Sequence, residues 1–534
     1  MSEQPNIPKV SAGPKFRAVR GVRDILPPET ALWNRVEQTA REVFRAYGFG
    51  EIRLAIFEQT ELFARSIGGE TDVVSKEMYS FEDRGSGGLA GVRDFMLVAS
   101  VDQRDPRTFA TFTGLAQQFA SLLDQGVASG EIPATLENDR RIQMFRERLR
   151  HLAEIEGRDS TAQNQVDSVR FWAFMIQVAP LITLRPEATA SVVRAYIEHG
   201  MHTLPGSVKL YYMGPMFRRE RPQKGRYRQF YQIGAEVLGP SDAPSVDAEV
   251  IEMLMDYFGR LQLAGTTLYV NSIGCKDCRP VYVQELREAL LKVKEHLGAD
   301  SQRRIETNPL RVLDSKIPTE QPIIETLPRI ADHLCEACTV HFAALQEELK
   351  LRQIFYEVNW RLVRGLDYYT RTTFEIIAPG LGSQNALCGG GRYDGLVELL
   401  GGPPTKGIGF AIGLDRLILS LQELGKDKVP RGPDVFVAWM GQASWPLAVR
   451  VARQLRDAGI SVEVPAEEMK FRKALGLADK LGARYALILG EDEVASGQLT
   501  LKRLADGEQR KVSAEQLPEY LSTELQFGMK SGTS

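Results

Sequence analysis

Two strand-like runs, residues 210–217 and 229–238, are joined by FRRERPQKGRYR (217–228), which sets six cationic side chains, Arg218, Arg219, Arg221, Lys224, Arg226 and Arg228, against the single carboxylate of Glu220. Runs this close in sequence pair most simply as a long antiparallel hairpin. The hairpin therefore carries a dense cluster of positive charge at its tip. Guanidinium groups grip phosphate with fixed, bidentate geometry, so the tip points to a polyphosphate or a nucleic-acid backbone. On the returning strand, period-two alternation puts Phe230, Gln232, Gly234 and Glu236 on one face and Tyr231, Ile233 and Ala235 on the other. One face thus offers an aromatic platform, an amide and a carboxylate in a row.

The positive charge is local. Lys and Arg number 66 against 69 Asp and Glu, a formal net charge of -3, which excludes a global basic field. At 534 residues, 43% hydrophobic and 25% charged, the chain is globular and long enough for several domains, not a fibrous or tail-like protein. The opening MSEQPNIPKV has neither a basic-then-apolar leader nor an Arg-rich amphipathic pattern. The most apolar stretch, FWAFMIQVAPLI (171–182), is broken by Gln177 and Pro180 and falls short of the ~20 residues of a membrane span. A cytoplasmic location is expected.

Along the chain, helical periodicity over residues 29–47 ends at Gly48 and leads to an expected strand over 51–57. The character then changes. After the glycine-rich GSGGLAG (85–91), helical patterns place Phe109, Phe112, Leu115, Phe119 and Leu122 on one face, and Ile142, Phe145, Leu149 and Leu152 on another. This reads as a helical insertion that packs on itself. A mixed, mostly helical segment over 271–350 holds two CxxC pairs, Cys275/Cys278 and Cys335/Cys338. After GKDKVPRGP (425–433), strands at 435–439, 461–464 and 484–489 alternate with helices at 445–455 and 471–481, the rhythm of a separate α/β domain. Two further stretches, CGGGRYDG (388–395) and GIGFAIGLDR (407–416), carry glycines where backbone can approach a ligand closely.

Taken together these residues resemble the histidyl-tRNA synthetases, a family of class II aminoacyl-tRNA synthetases. Beside the hairpin, the resemblance is carried by RGVRDILPPE (20–29), KEMYSFEDR (76–84), TLRPEATA (183–190) and GIGFAIGLDRL (407–417), and by RGLDYYTRTTFE (364–375) and CGGGRYDGL (388–396), which are peculiar to the histidine enzymes. It implies an α/β fold of the α+β type: a class II antiparallel core with helical insertions and a C-terminal anticodon-binding domain. The expected divisions are core over 1–85, 181–270 and 357–425, a helical insertion over 86–180, a CxxC insertion over 271–356, and the anticodon domain over 432–528.

The implied activity is ATP-dependent ligation of L-histidine to tRNA(His), through histidyl-adenylate, by a homodimer. Arg218 and Arg416 would grip the α- and γ-phosphates of ATP with its Mg²⁺; Phe230 would stack on adenine, with Glu220 and Arg226 beside it. Glu187, Thr189 and Gln232 would hold the α-amino group of histidine, and Glu236, Tyr368 and Tyr369 would read its ring. Arg364, with Arg218, is the expected catalytic cation, set between the amino-acid carboxylate and the α-phosphate. Arg221 and Gln223 would face the acceptor end of tRNA. His151, His199, His202, His296, His333 and His341 all lie outside these motifs, which disfavours a histidine-based nucleophile relay. A non-catalytic histidine-binding paralogue of the family is the rival reading, but this chain keeps Arg218, Arg364, Arg416 and the tail.

The sequence departs from the family pattern at Ala55, where a proline is usual in a motif expected at the dimer interface. It departs again at Ala188, where an alanine replaces glycine beside the expected amino-group pocket. The 86–180 insertion is expected to project toward tRNA or the partner subunit. The CxxC pairs, separated by 56 residues, fit either a converged Cys₄ structural zinc site or four reduced, partly buried thiols.

Overall fold

The cationic hairpin is the spine of the larger sheet. Strands β5 (Val208–Phe217) and β6 (Gln229–Gly239) pair antiparallel from Val208 opposite Leu238 to Phe217 opposite Gln229. Around them lie β1 (Gly50–Glu51), β7 (Thr267–Ser272), β8 (Glu357–Val358), β9 (Thr370–Ile377), β10 (Ala386–Arg392) and β11 (Lys406–Gly413), in the order β1-β5-β6-β11-β10-β9-β7-β8. Every pairing is antiparallel except at the two edges, where β1 runs parallel to β5 and β8 parallel to β7. The computed structural model describes residues 16–531 apart from 69–70, 72, 83–91, 94–95, 98–105, 130–131, 133–135, 155–160, 177–180, 367, 379–385 and 428–431. By internal packing the chain forms two units, residues up to 23 with 39–424, and 24–38 with 425 onward.

The two faces of the large sheet differ in residue size. Tyr211, Ala235 and Phe410 stand opposite one another in register on the face covered by helices, where Phe44 of α1 (Glu29–Ala46) meets Tyr211 and Phe410 at ring distances of 5.3 and 6.1 Å. The other face is built of glycine, as described below. A smaller antiparallel sheet holds β2 (Phe57–Gln59), β3 (Tyr79–Glu82) and β4 (Leu181–Leu184) in the order β2-β4-β3, with α2 (Thr60–Ile67) following β2.

The single strand expected over 51–57 is a correction. β1 ends at Glu51 and β2 begins at Phe57, and the carbonyls between them are spent elsewhere. Arg185 Nη1 donates to the carbonyls of Leu54 (2.9 Å) and Ala55 (3.1 Å), and the Arg185 amide donates to Ile56 (2.9 Å). Ala55 is exposed and contributes its carbonyl to this contact, which no proline ring is needed to supply.

Between β3 and β4 the chain inserts α3 (Pro106–Ser129), α4 (Leu136–Ala153) and α5 (Thr161–Met175). Their core closes on itself, with Phe112, Phe119, Phe145, Leu152, Val166 and Val169 fully shielded and Phe119 edge-on to Phe145 at 5.2 Å. Leu123, rather than the expected Leu122, completes the buried face of α3. GSGGLAG lies outside the described residues. Arg93 fixes the root of this insertion, donating to both oxygens of Glu82 (3.1 and 2.7 Å) and to the Ile176 carbonyl (3.1 Å).

Helix α6 (Thr189–Glu198) leads from β4 toward the hairpin, and α7 (Pro244–Arg260) follows it. The CxxC insertion contains α8 (Arg279–Lys292), α9 (Ala299–Thr307) and α10 (Glu336–Leu351). It has a core of its own around Tyr282, Leu286, Leu290, Ile305 and Leu313. Helix α11 (Leu414–Glu423) closes the first unit.

In the second unit β12 (Val435–Trp439) pairs parallel with β13 (Val462–Glu463) and β14 (Tyr485–Leu489), with α12 (Trp445–Asp457) and α13 (Phe471–Leu481) between them, as expected. The sheet then continues, unforeseen, past α14 (Glu491–Ser496) into antiparallel β15 (Gln498–Arg503) and β16 (Gln509–Ser513), before α15 (Leu517–Ser531). Among the described residues no helix is long and apolar enough to cross a membrane.

Candidate active site

Directly opposed residues of an antiparallel ladder share a face. On the opposite face of the large sheet, Gly234 of β6 stands opposite Tyr212 and Ala411, Glu236 opposite Gly409, Ala411 opposite Gly389, and Gly409 opposite Gly391. Three strands, β6, β11 and β10, thus contribute a patch of floor made of Gly234, Gly409, Ala411, Gly389 and Gly391. A Cβ at Gly389 would overlap the Arg364 guanidinium, one at Gly409 the Glu236 carboxylate, and one at Gly234 the Tyr212 hydroxyl. The runs CGGG and GIGFAIG are glycine-rich for this reason: large polar side chains lie across them.

Above the floor is a cavity of about 370 Å³ lined by Glu187, Thr189, Arg218, Glu220, Arg226, Phe230, Gln232, Arg364, Tyr368, Tyr369 and Arg416 among others. Sequence motifs from five separate segments of the chain are therefore brought together. Glu236 is the exception among the expected pocket residues. It lies just behind the wall, 1% exposed, accepting from Thr189 Oγ1 and from the Tyr393 hydroxyl, both at 2.7 Å. Burial pushes its carboxyl up to about 8, against the pull of those two hydroxyl donors. Ala188 is also behind the wall, in the apolar layer with Tyr212 and Tyr368, so its methyl is absorbed by packing.

Glu187 caps α6: its two oxygens accept the amides of Thr189 (2.7 Å) and Ala190 (3.0 Å). Burial raises its pKa, while those amides and the Arg218 charge oppose the shift. Arg218 is anchored by Nε to the Pro186 carbonyl (2.9 Å) and lies over the Phe230 ring at 5.3 Å. Glu220 is paired with Arg226 (3.2 Å). Arg416 donates to the Ala386 carbonyl (2.9 Å), and its pKa is lowered by burial and by the cationic Arg226 nearby. Cations that repel one another in a half-closed space are relieved by a polyanion. Arg364 donates to Glu375 (3.0 Å) and sits over Tyr369 at 5.8 Å. Burial works against its charge, yet Tyr369 and Glu375 hold its pKa above the ordinary value.

Three buried polar atoms on the lining have no hydrogen-bond partner, Glu220 Oε2, Gln232 Oε1 and Arg364 Nε, although Glu220 Oε2 is ion-paired with Arg226. Arg221 and Gln223 are exposed on the hairpin tip, off the cavity wall. A wider cavity of about 680 Å³ shares Arg218, Glu220, Arg226 and Arg364 with the site and extends along Lys76, Arg303, Arg304 and Arg311. No histidine lines either cavity. Tyr212, Glu375 and Tyr393 were not singled out from the sequence. The last two sit inside quoted motifs, but only the ladder register reveals that Tyr212 faces Gly234. Apart from the cavity, Cys275, Cys278, Cys335 and Cys338 converge, with their Sγ atoms all within 4.8 Å of one another.

A sequence profile described as histidyl-tRNA synthetase matches residues 151–417, and one described as an anticodon-binding domain matches 434–524. The chain is 45% identical to the histidine–tRNA ligase of Koribacter versatilis over 95% of its own length and 96% of that protein's. It is 44% identical to that of Solibacter usitatus, over 95% and 99%. Among solved structures, the apo histidyl-tRNA synthetase of S. aureus matches with a TM-score of 0.64 at 31% identity, covering 95% of this chain and 100% of that one.

Proposed function

The chain belongs to the histidyl-tRNA synthetase family and is an ATP-dependent ligase of histidine and tRNA, and from that premise we propose how its cavity divides the work. The observation that carries the reading is that, beside the ion-paired Glu220 Oε2, the lining leaves Gln232 Oε1 and Arg364 Nε without a hydrogen-bond partner. A free amide acceptor and a free guanidinium donor in one cavity complement an amino-acid zwitterion, the ammonium meeting the amide oxygen and the carboxylate the guanidinium. Glu187 and Thr189 complete the ammonium site, and Tyr368 and Tyr369, backed by Glu236, read the imidazole. Arg218 and Arg416 take the α- and γ-phosphates, Phe230 the adenine face, and Glu220 with Arg226 its edge.

The histidine carboxylate is already a competent nucleophile. Its oxygen attacks the α-phosphorus, the bond to pyrophosphate breaks, and histidyl-adenylate forms. The barrier lies in bringing an anion to a polyanion, so positioning and fixed charge supply the catalysis, with Arg364 between the reacting groups. Mg²⁺ arrives with the nucleotide, and Glu220, Glu375 and Asp415 are the carboxylates on the cavity wall beside Glu187 that could meet it. The 3′-terminal ribose hydroxyl of tRNA then attacks the adenylate carbonyl and releases AMP. Arg221 and Gln223 face that acceptor end, and the cationic corridor through Arg303, Arg304 and Arg311 supports its path.

The wider reading assigns residues 432–528 to the anticodon and the 86–180 insertion to tRNA or the partner subunit. The chain works as a cytoplasmic homodimer. Phe57 and Phe81, 56% and 47% exposed on one face of the smaller sheet, support a surface covered by a second copy. Cys275, Cys278, Cys335 and Cys338 hold a structural zinc ion. The test is ATP–pyrophosphate exchange with each amino acid in turn, without tRNA. Exchange confined to histidine is expected; histidine binding without exchange would overturn the catalytic assignment in favour of a sensing role.

A further inference from the structure

The two CxxC pairs begin two helices: Cys278 immediately precedes α8 and Cys335 immediately precedes α10. Sγ separations are 3.8 Å for Cys275–Cys278 and Cys275–Cys335, and 3.9 Å for Cys278–Cys338. Four thiolates each about 2.3 Å from a central zinc ion lie about 3.8 Å apart along the edges of the tetrahedron. A disulfide would draw two of them to about 2.0 Å. Backbone amides already address the sulfurs, Cys275 N–H to Cys278 Sγ at 3.2 Å and Asp277 N–H to Cys275 Sγ at 3.4 Å. Gly274 has φ +69°, and a Cβ there would stand 2.8 Å from Cys278 Sγ, so the knuckle needs a glycine before it.

The backbone of this knuckle is bonded to the histidine pocket. Ile273 N–H donates to the Arg371 carbonyl and Arg371 N–H to the Gly274 carbonyl, both at 2.8 Å. Arg371 itself is held at φ +49°, a left-handed conformation rare for a residue with a side chain, and its guanidinium is tied to Asp242 at 2.8 Å. Arg279, the residue after Cys278, donates Nη1 to the Tyr369 carbonyl at 2.5 Å. Tyr369 packs against Tyr368 with ring centroids 4.7 Å apart and planes tilted by 45°, and both rings line the cavity, whereas Arg279 does not.

We infer that the zinc-filled Cys₄ knuckle is a positioning device for the amino-acid pocket, acting through Arg279 and Gly274 on the backbone that carries Tyr368 and Tyr369. The inference rests on the zinc reading above. The metal fixes the segment from Gly274 to Arg279; that segment fixes Tyr369 to Arg371; and the two rings are thereby set against the imidazole. The hydrogen bonds of this chain reach none of Arg218, Phe230 and Arg416, and Phe230 meets it only through the apolar layer that holds Tyr368 and Tyr369, so the nucleotide half of the cavity depends on the metal far less than the histidine half. Arg279 is a positioning residue rather than a catalytic one.

The test uses the full-length protein purified without chelator, assayed for zinc, then stripped with a mercurial and chelator and reloaded. Histidine and ATP binding are each followed by calorimetry, with circular dichroism as the check on folding. The expected result is one zinc per four thiolates, whose removal weakens histidine binding roughly tenfold or more, as loss of supporting contacts around a metal site does, and leaves ATP binding unchanged. Zn²⁺ restores histidine affinity and Mg²⁺ does not. Arg279→Ala keeps the metal and reproduces the histidine-selective weakening, and Arg279→Lys recovers part of it. Protein that neither holds zinc nor takes up Zn²⁺ or Co²⁺ after reduction overturns the zinc reading itself. Stoichiometric zinc, with unchanged histidine affinity in both the stripped protein and Arg279→Ala, overturns the positioning inference alone. Equal weakening of histidine and ATP also overturns it, since that is loss of the fold.

Discussion

Two segments interrupt the catalytic sheet, and they are attached on opposite plans. The helical insertion hangs from β3 and β4 of the smaller sheet, closes its own core from Met96 to Ile176, and is fastened at its root by Arg93. None of its described residues lines either cavity. The CxxC insertion also has a core of its own, yet it leaves and rejoins the large sheet at β7 and β8, next to β9, which pairs with the floor strand β10. Its Arg303, Arg304 and Arg311 line the wider cavity, and its Arg279 holds the Tyr369 carbonyl. The point of attachment, not the possession of a hydrophobic core, decides whether an inserted module can act on chemistry: side chains act within a few ångströms, while a core stabilises only what packs into it.

The contrast presumes that chemistry lives on the glycine floor and that the insertions modulate it. Gly389→Ala tests the presumption most severely. Its Cβ would overlap the Arg364 guanidinium, which must then leave the position between carboxylate and α-phosphate. Loss of one preorganised charge of this kind lowers turnover roughly 10²–10³-fold. Gly389→Ala is expected to match Arg364→Ala in histidine-dependent pyrophosphate exchange while keeping its thermal midpoint. Normal exchange in Gly389→Ala would remove Arg364 from the reaction.

A smaller effect is expected where the second insertion meets tRNA. Arg303→Ala and Arg311→Ala should leave pyrophosphate exchange unchanged and weaken tRNA binding, each lowering the salt slope of binding by roughly 1 if it neutralises one phosphate. A filter-binding titration at several salt concentrations reads this directly. The same two substitutions altering exchange but not the slope would mean that the corridor serves the nucleotide, and the distinction between core and insertion would have to be redrawn.

Much of this layout was legible in the residues. The hairpin, with its charges, and the alternation of Phe230, Gln232 and Glu236 follow from local pattern, as do the parallel strands and helices of the second unit. What escaped depends on partners distant in sequence. Residues 52–56 look strand-like, but their carbonyls are claimed by Arg185, 131 residues beyond Leu54. Leu123 rather than Leu122 joins the buried core that holds Phe119 and Phe145, a choice made by the neighbouring helices that helical period alone does not specify. β15 alternates polar and apolar residues only over Gln498–Lys502, and β16 offers the single buried apolar side chain Val512, so little but the Asp506–Gly507 turn marks the pair. Which residues oppose each other across four strands, and so why so many are glycine, becomes visible only with the register in hand.

A pH effect of intermediate size belongs to the floor. Glu236, with its carboxyl raised by burial to about 8 from an ordinary 4.5, keeps in the folded protein a proton that the unfolded chain releases. Between those two values the native state binds more protons, so stability is fullest below about 4.5 and falls as pH rises toward 8, by at most about 1.4 kcal/mol per unit. Glu236→Gln, neutral at every pH, should flatten this decline in urea titrations at successive pH values. A decline that persists in Glu236→Gln would locate the titrating group elsewhere.

The smallest effect on adenylation is expected from the most damaging change to the first insertion. Phe145 is fully shielded and edge-on to Phe119, and truncating such a ring to alanine costs about 3–5 kcal/mol. Because that core is closed on itself, the loss falls on α3, α4 and α5, which should become sensitive to limited proteolysis, while histidine-dependent exchange stays at its original rate. If tRNA affinity or dimerisation falls in the same variant, the insertion acts at the surface to which it projects. If exchange falls with it, stability is shared across the β3–β4 root through Arg93, and the two insertions differ in distance from the site but not in kind.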